Sequence, residues 1–131
     1  DSILLKPAKL DDNEKELMKS HTLRGCEIIE SFNGAMGSDV EEIMYNVCRN
    51  HHERYDGRGY PDGLKGEKIP IEAQIVSIAD AYDELISERI YKNASSREDA
   101  FEMIMTGECG VFSPKLLECF RLSRTEIEEI L

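Results

Sequence analysis

Apolar side chains recur along this chain at intervals of three and four residues, the spacing of one helix face, almost from end to end. Asp11 or Asp12 is the predicted cap of a first helix, with Leu17 and Met18 as its leading apolar contacts. The pattern breaks near His21, where Met18-Lys19-Ser20 is read as the helix end. It resumes through Leu23, Cys26, Ile29 and Phe32. Asn33 to Ser38, with two glycines, reads as a turn. From Ser38 or Asp39 a second helix puts Val40, Ile43, Met44, Val47 and Cys48 on its core face and delivers His51 and His52 at its end. Ile71 to Ile86 is apolar most of the way round the cylinder and reads as a nearly fully buried helix. Ser95 or Ser96 caps a helix containing Ala100, Phe101, Ile104 and Met105, which Gly107 ends. Pro114 opens a short helix through Leu116, Leu117 and Phe120. Ser123, with Glu126 as capping-box partner, starts a last one. No stretch reads as a strand, and no repeat or internal boundary divides the chain. The expected fold is all-α, in one domain.

The segment from Glu53 to Pro70 breaks this pattern. Gly57, Gly59, Gly63 and Gly66, with Pro61 and Pro70, exclude a regular helix. A loop of this length inside a compact domain is usually functional. It follows directly on His51-His52, and the chain has only three histidines. Adjacent helical residues point about 100° apart, so one ion seldom takes both. Near a frayed helix end they can reach two ions of one cluster. Two ions about 3.5–4 Å apart suit in-line attack on a phosphodiester.

Composition narrows the function. With 131 residues, 40% hydrophobic and 33% charged, the chain can bury a core. A net charge of -11 argues against nucleic-acid polymers and anionic membranes. A small anionic ligand is still compatible, because metal ions and a few arginines reverse the field inside a pocket. Cys26, Cys48, Cys109 and Cys119 are widely spaced and read as reduced, mostly buried thiols, which points to the cytoplasm. No apolar run nears the roughly 20 residues that span a bilayer.

Asp80 lies within the apolar Ile71–Ile86 run, where a buried carboxylate needs a metal, a cation or a hydrogen-bonded proton. His21 reads either as a helix-end histidine near the last carbonyls or as a ligand. The loop glycines and prolines have a plain structural reading as turn formers. Arg89, Tyr91 and Lys92, just past the Asp80 helix, can equally be a solvated loop.

Longer motifs weigh between these alternatives. His51-His52-Glu53-Arg54-Tyr55-Asp56-Gly57-Arg58-Gly59-Tyr60-Pro61, continuing to Pro70, resembles the HD-GYP domain of bacterial signalling proteins. So do Ile78-Ala79-Asp80-Ala81-Tyr82-Asp83-Glu84-Leu85, Arg89-Ile90-Tyr91-Lys92 and Gly110-Val111-Phe112-Ser113-Pro114. The opening Asp1 to Leu10 matches too, with Ala8 where glycine is usual. The resemblance covers nearly the whole chain, in the family's motif order. It implies a helical bundle of HD-superfamily type and a metal-dependent phosphodiesterase acting on cyclic di-GMP. It also implies two or three iron or manganese ions. By the same resemblance His21, His51, His52 and Asp80 are metal ligands; Asp83, one turn on from Asp80, reads as support for the fold or for those ligands. Tyr60 is a platform for a guanine base, Arg58 or Lys65 touches phosphate, and Arg89, Tyr91 and Lys92 face the ligand. The Gly59-Tyr60-Pro61 loop is further implied as a docking surface for partner signalling proteins.

In the family a His-Asp dyad precedes the segment corresponding to Asp1, with another ligand His upstream of it. The chain therefore reads as the C-terminal part of an HD-GYP domain, lacking its N-terminal helices. It is expected to be inactive alone, to bind metal weakly, and to self-associate through an uncovered apolar face. The competing reading is a non-catalytic signalling module that binds a nucleotide or a partner protein.

Overall fold

A computed structural model describes residues 12–87 and 95–130. The described residues form six α-helices: α1 Asp12–Glu30, α2 Ser38–Asn50, α3 Ile71–Ile86, α4 Arg97–Met105, α5 Pro114–Leu122 and α6 Arg124–Ile130. The expectation of an all-α fold holds. The only strand-like feature among them is an isolated antiparallel bridge between Asp56 and Lys65, inside the long loop.

α1 and α2 form an antiparallel hairpin. Its turn needs left-handed backbone at Asn33, Gly34 and Gly37. The Glu41 carboxylate closes it by accepting from the amides of Gly34 and Met36, each at 3.0 Å. Gly25 lets the helices approach, since a Cβ there would stand 3.3 Å from Cys48. α1 runs through His21 without the predicted break. Its polar residues do not interrupt it, because Ser20 and Thr22 turn their hydroxyls back onto the carbonyls of Leu17 and Lys19.

The core lies where α3, α4 and α5 meet. Ile78, Ala81, Tyr82, Ala100, Phe101, Ile104, Phe112 and Phe120 are buried together. Phe101 stacks on Phe120 with ring centroids 5.0 Å apart, and Tyr82 meets Phe120 edge-on. Ser96 caps α4 by accepting from the Asp99 amide, and Ser113 caps α5 with Pro114 behind it.

Three burial expectations need correction. α3 is not buried all round: Ile71 and Ile75 are each 53% exposed. Its outer stripe opens on an apolar groove of about 430 Å³, whose other wall is Leu116, Cys119 and Ile127. Val40 and Ile43 at the start of α2 are also largely exposed, so that helix is held mainly through its later turns. There Asn46 donates to Glu72 on α3 at 2.8 Å. The four cysteines are free as expected, but only Cys26 is buried and Cys119 is exposed.

Candidate metal centre

The last turn of α2 sets the histidines. His51 occupies the C-cap, with its backbone N–H on the Val47 carbonyl. Its ring Nδ1 lies 2.7 Å from the same carbonyl oxygen. A carbonyl only accepts, so Nδ1 carries the proton and Nε2 keeps its lone pair for a ligand. Ser77 of α3 donates to the His51 carbonyl and ties the two helices at this point.

His52 follows, its ring centroid 4.0 Å from that of His51. Burial pushes its pKa down to about 4, helped by the neighbouring His51 and Arg54. It is therefore neutral at pH 7 and able to donate a lone pair. Asp80 on α3 completes the group: one ligand atom from each of His51, His52 and Asp80 lies within 4.8 Å of the others. Two imidazoles and a carboxylate suit a transition metal better than calcium. The residues present thus fit the metal that the sequence reading calls for.

Asp80 differs from its predicted environment. It is exposed, on the open side of α3, and so bears no large desolvation cost as a free carboxylate. His21 is exposed on α1 and does not join the group. Two residues before it, Lys19 reaches the site: its Nζ stands 5.6 Å from the Tyr60 ring centroid.

Tyr60 stacks on His52, with centroids 4.9 Å apart and planes 18° from parallel. Its N–H donates to the His52 carbonyl at 3.3 Å, and the Tyr60–Pro61 peptide is cis. Gly59 explains how the chain gets this close. A Cβ there would meet the His52 carbonyl oxygen, and would lie 2.5 Å from both the Arg54 nitrogen and the Glu53 Cα. Only a residue without a side chain fits.

Two grips hold the far limb of the loop. The buried Glu53 carboxylate accepts from the amides of Asp62, Gly63 and Leu64 at 2.7, 3.2 and 3.0 Å. Arg49 forms a two-pronged pair with Asp62 at 2.8 Å on each oxygen, and Asn50 adds a third contact at 3.2 Å. The Arg49 guanidinium holds the Asp62 carboxyl below its usual range. Arg58 points outward, its side chain 89% exposed and 3.8 Å from Asp56. Lys65 is also exposed. Arg89, Tyr91 and Lys92 lie outside the described residues.

The Gly110–Pro114 segment braces the loop from the other side. Arg54 lies over the Phe112 ring at 5.1 Å and donates to the Cys109 carbonyl at 3.3 Å. A Cβ at Gly110 would meet the Arg54 side chain at 2.7 Å, so this glycine makes room for the arginine. The Tyr55 amide donates to the Val111 carbonyl at 2.9 Å. Glu53, Arg54 and Lys19 received no role from sequence. Glu53 and Arg54 lie inside the long motif, but a charged residue in a polar loop gives no sign of which way it turns.

The sequence profile of the HD domain family matches residues 1–112. This chain belongs to the HD domain family. It is 40% identical over 132 residues to a cyclic di-GMP phosphodiesterase response regulator of Xanthomonas campestris pv. campestris, a match covering 99% of the chain and 33% of the relative. A cyclic di-GMP phosphodiesterase of Thermotoga maritima is 40% identical over 130 residues, 99% of the chain and 34% of that protein. A 3'3'-cGAMP-specific phosphodiesterase of Vibrio cholerae is 40% identical over 118 residues, covering 90% of the chain and 22% of the relative. The HD domain described here thus spans about a third of the length of the first two relatives. The HD-GYP resemblance of its motifs agrees with these matches. No described helix of the domain is long and apolar enough to cross a membrane.

Proposed function

We propose that this HD domain serves metal-dependent hydrolysis of cyclic di-GMP. One observation carries the reading: His51, His52 and Asp80 converge on one point, with the Tyr60 ring stacked beside them. Side chains able to hold a metal would then stand next to an aromatic face, and relatives of similar sequence are named for this activity.

His51 and His52 through their ring nitrogens, and Asp80 through its carboxylate, would hold divalent iron or manganese. Such ions supply charge that offsets the developing negative charge on phosphate. The Nδ1 bond to Val47 aims the His51 Nε2 lone pair, and the burial of His52 keeps its ring unprotonated. Tyr60 offers its ring to a base, and Lys19 brings positive charge beside it. In a chain of net charge -11, bound ions together with Lys19, itself paired with Glu16, would supply the positive charge that admits a dianionic ligand. The outward Arg58 leaves the loop's far surface to a partner signalling protein.

The mixed-base cyclic dinucleotide is the second reading, favoured by the likeness to the 3'3'-cGAMP-specific relative. The deciding experiment loads the full-length gene product with manganese or iron and follows both cyclic dinucleotides by chromatography. Cyclic di-GMP should be the better substrate. Binding of both with hydrolysis of neither would instead establish a non-catalytic signalling module.

A further inference from the structure

We propose that Glu53 is a positioning residue, whose carboxylate fixes the Gly59-Tyr60-Pro61 loop in register with the two histidines, so that Tyr60 stands against His52 before ligand arrives.

Glu53 is 2% exposed. A carboxylate so placed is costly unless its oxygens are satisfied. Here they are satisfied by three consecutive backbone amides, two on Oε1 and one on Oε2. All three belong to the far limb of the loop, nine to eleven positions along the chain. The backbone of Glu53 belongs to the near limb: it follows His52 directly, and its own N–H donates to the Asn50 carbonyl at 3.0 Å. One residue therefore joins the end of α2 to residues 62–64. Gly59, Tyr60 and Pro61 lie in the span between. The second grip, Arg49 on Asp62, has about 30% of each side chain exposed to solvent and is correspondingly weaker.

This grip lies at the edge of the core, where Glu53 lines a small cavity with Ile69 and Phe112. A buried ion compensated in this way adds little net stability relative to an apolar residue of similar volume. What it adds is a single loop conformation. The bonds of Glu53 run to backbone amides of the loop, so its effect should pass through Tyr60.

The link to cyclic dinucleotides rests on the function proposed above, whereas the placement of Tyr60 does not. The test uses the full-length gene product with Glu53→Gln. The amide keeps one oxygen but sets an NH2 group against the Leu64 N–H. Metal content should stay at the wild-type level. KM for cyclic di-GMP should rise about tenfold, the share of base stacking that a displaced ring forfeits. The kcat should hold within about twofold. In metal-free protein with labelled histidine, the ring-current shift that Tyr60 imposes on the His52 imidazole should collapse. In a Tyr60→Ala background, Glu53→Gln should add no further loss of affinity. An undiminished additional loss there, or loss of metal in step with affinity, overturns the proposal. Wild-type amides of Asp62, Gly63 and Leu64 should exchange slowly and as a group. Exchange at free-peptide rates overturns it even if the variant does not fold. Absence of turnover in the wild type would sink the phosphodiesterase reading alone, and the histidine spectrum would still decide the role of Glu53.

Discussion

Gly59→Ala tests how tightly the loop is packed on the end of α2. Gly59 has no positive φ, so strain in the left-handed region plays no part. The penalty is steric: the new Cβ falls 2.5 Å from the Arg54 nitrogen and the Glu53 Cα, and nearer still to the His52 oxygen. Ordinary carbon contacts start near 3.5 Å, so the loop must retreat by about 1 Å. All three obstacles are backbone, and no flexible side chain can yield. Overpacking of this kind costs about 3 kcal/mol, the upper part of its usual range. For 131 residues the unfolding entropy is about 0.28 kcal/mol/K, so the melting temperature should fall by about 10 °C. Gly57→Ala is the control. It has φ +84 but no neighbour nearer than 3.5 Å, so it should cost only about 1 kcal/mol, or some 4 °C. Calorimetry of both variants gives the comparison, and the His52 ring-current shift reports whether Tyr60 has moved. A Gly59 variant that melts no lower than the Gly57 variant, with that shift intact, would refute the close packing.

His52→Ala should remove a ligand, so that metal content and turnover fall together in the full-length protein. Tyr60→Ala should keep the metal and weaken ligand binding by roughly 1–3 kcal/mol, as read by calorimetric titration. Equal metal loss in both would make the loop a support for the cluster. Lys19→Ala should raise KM for cyclic di-GMP with metal content unchanged, and should flatten the salt dependence of binding; an unaltered KM would leave Lys19 as the partner of Glu16 alone. The depressed pKa of His52, about 4 against an ordinary 6.5, means that the unfolded chain binds this proton first on acidification. Its contribution to stability is therefore complete above pH 6.5 and is lost as pH falls toward 4. Histidine NMR of metal-free protein should show one ring titrating near 4, and a midpoint near 6.5 for His52 would contradict its burial.

The helices were legible because apolar spacing records which face is covered. The motif resemblance groups His21, His51, His52 and Asp80; the fold brings the last three together and leaves His21 exposed on α1. The break expected at His21 misled because polarity alone does not end a helix. Ser20 and Thr22 satisfy their hydroxyls within α1 itself. The exposure of Asp80 is hidden for a related reason: apolar neighbours in sequence do not make apolar surroundings, and Ile75 and Ala79 also face outward. Glu53 was invisible because its partners are backbone amides, which every sequence contains. Gly59 was read as a turn former, but it is there for close approach.

The brace from Arg54 and Tyr55 to residues 109–112 has a consequence for the order of folding. Arg54 and Cys109 are 55 positions apart, and joining them costs roughly 3.5 kcal/mol of chain entropy before any contact rewards it. The α1–α2 hairpin closes locally and can form early. The histidine pair, at the end of α2 and tied to α3 through Ser77, gains its further brace from residues 109–112 when the segment before α5 arrives. The amide of Tyr55, bonded to Val111, should then exchange with solvent through a partial opening that leaves the α1–α2 hairpin formed. The ligand-bearing end of the domain would be among the last parts of this chain to be assembled and, near equilibrium, among the first to come apart.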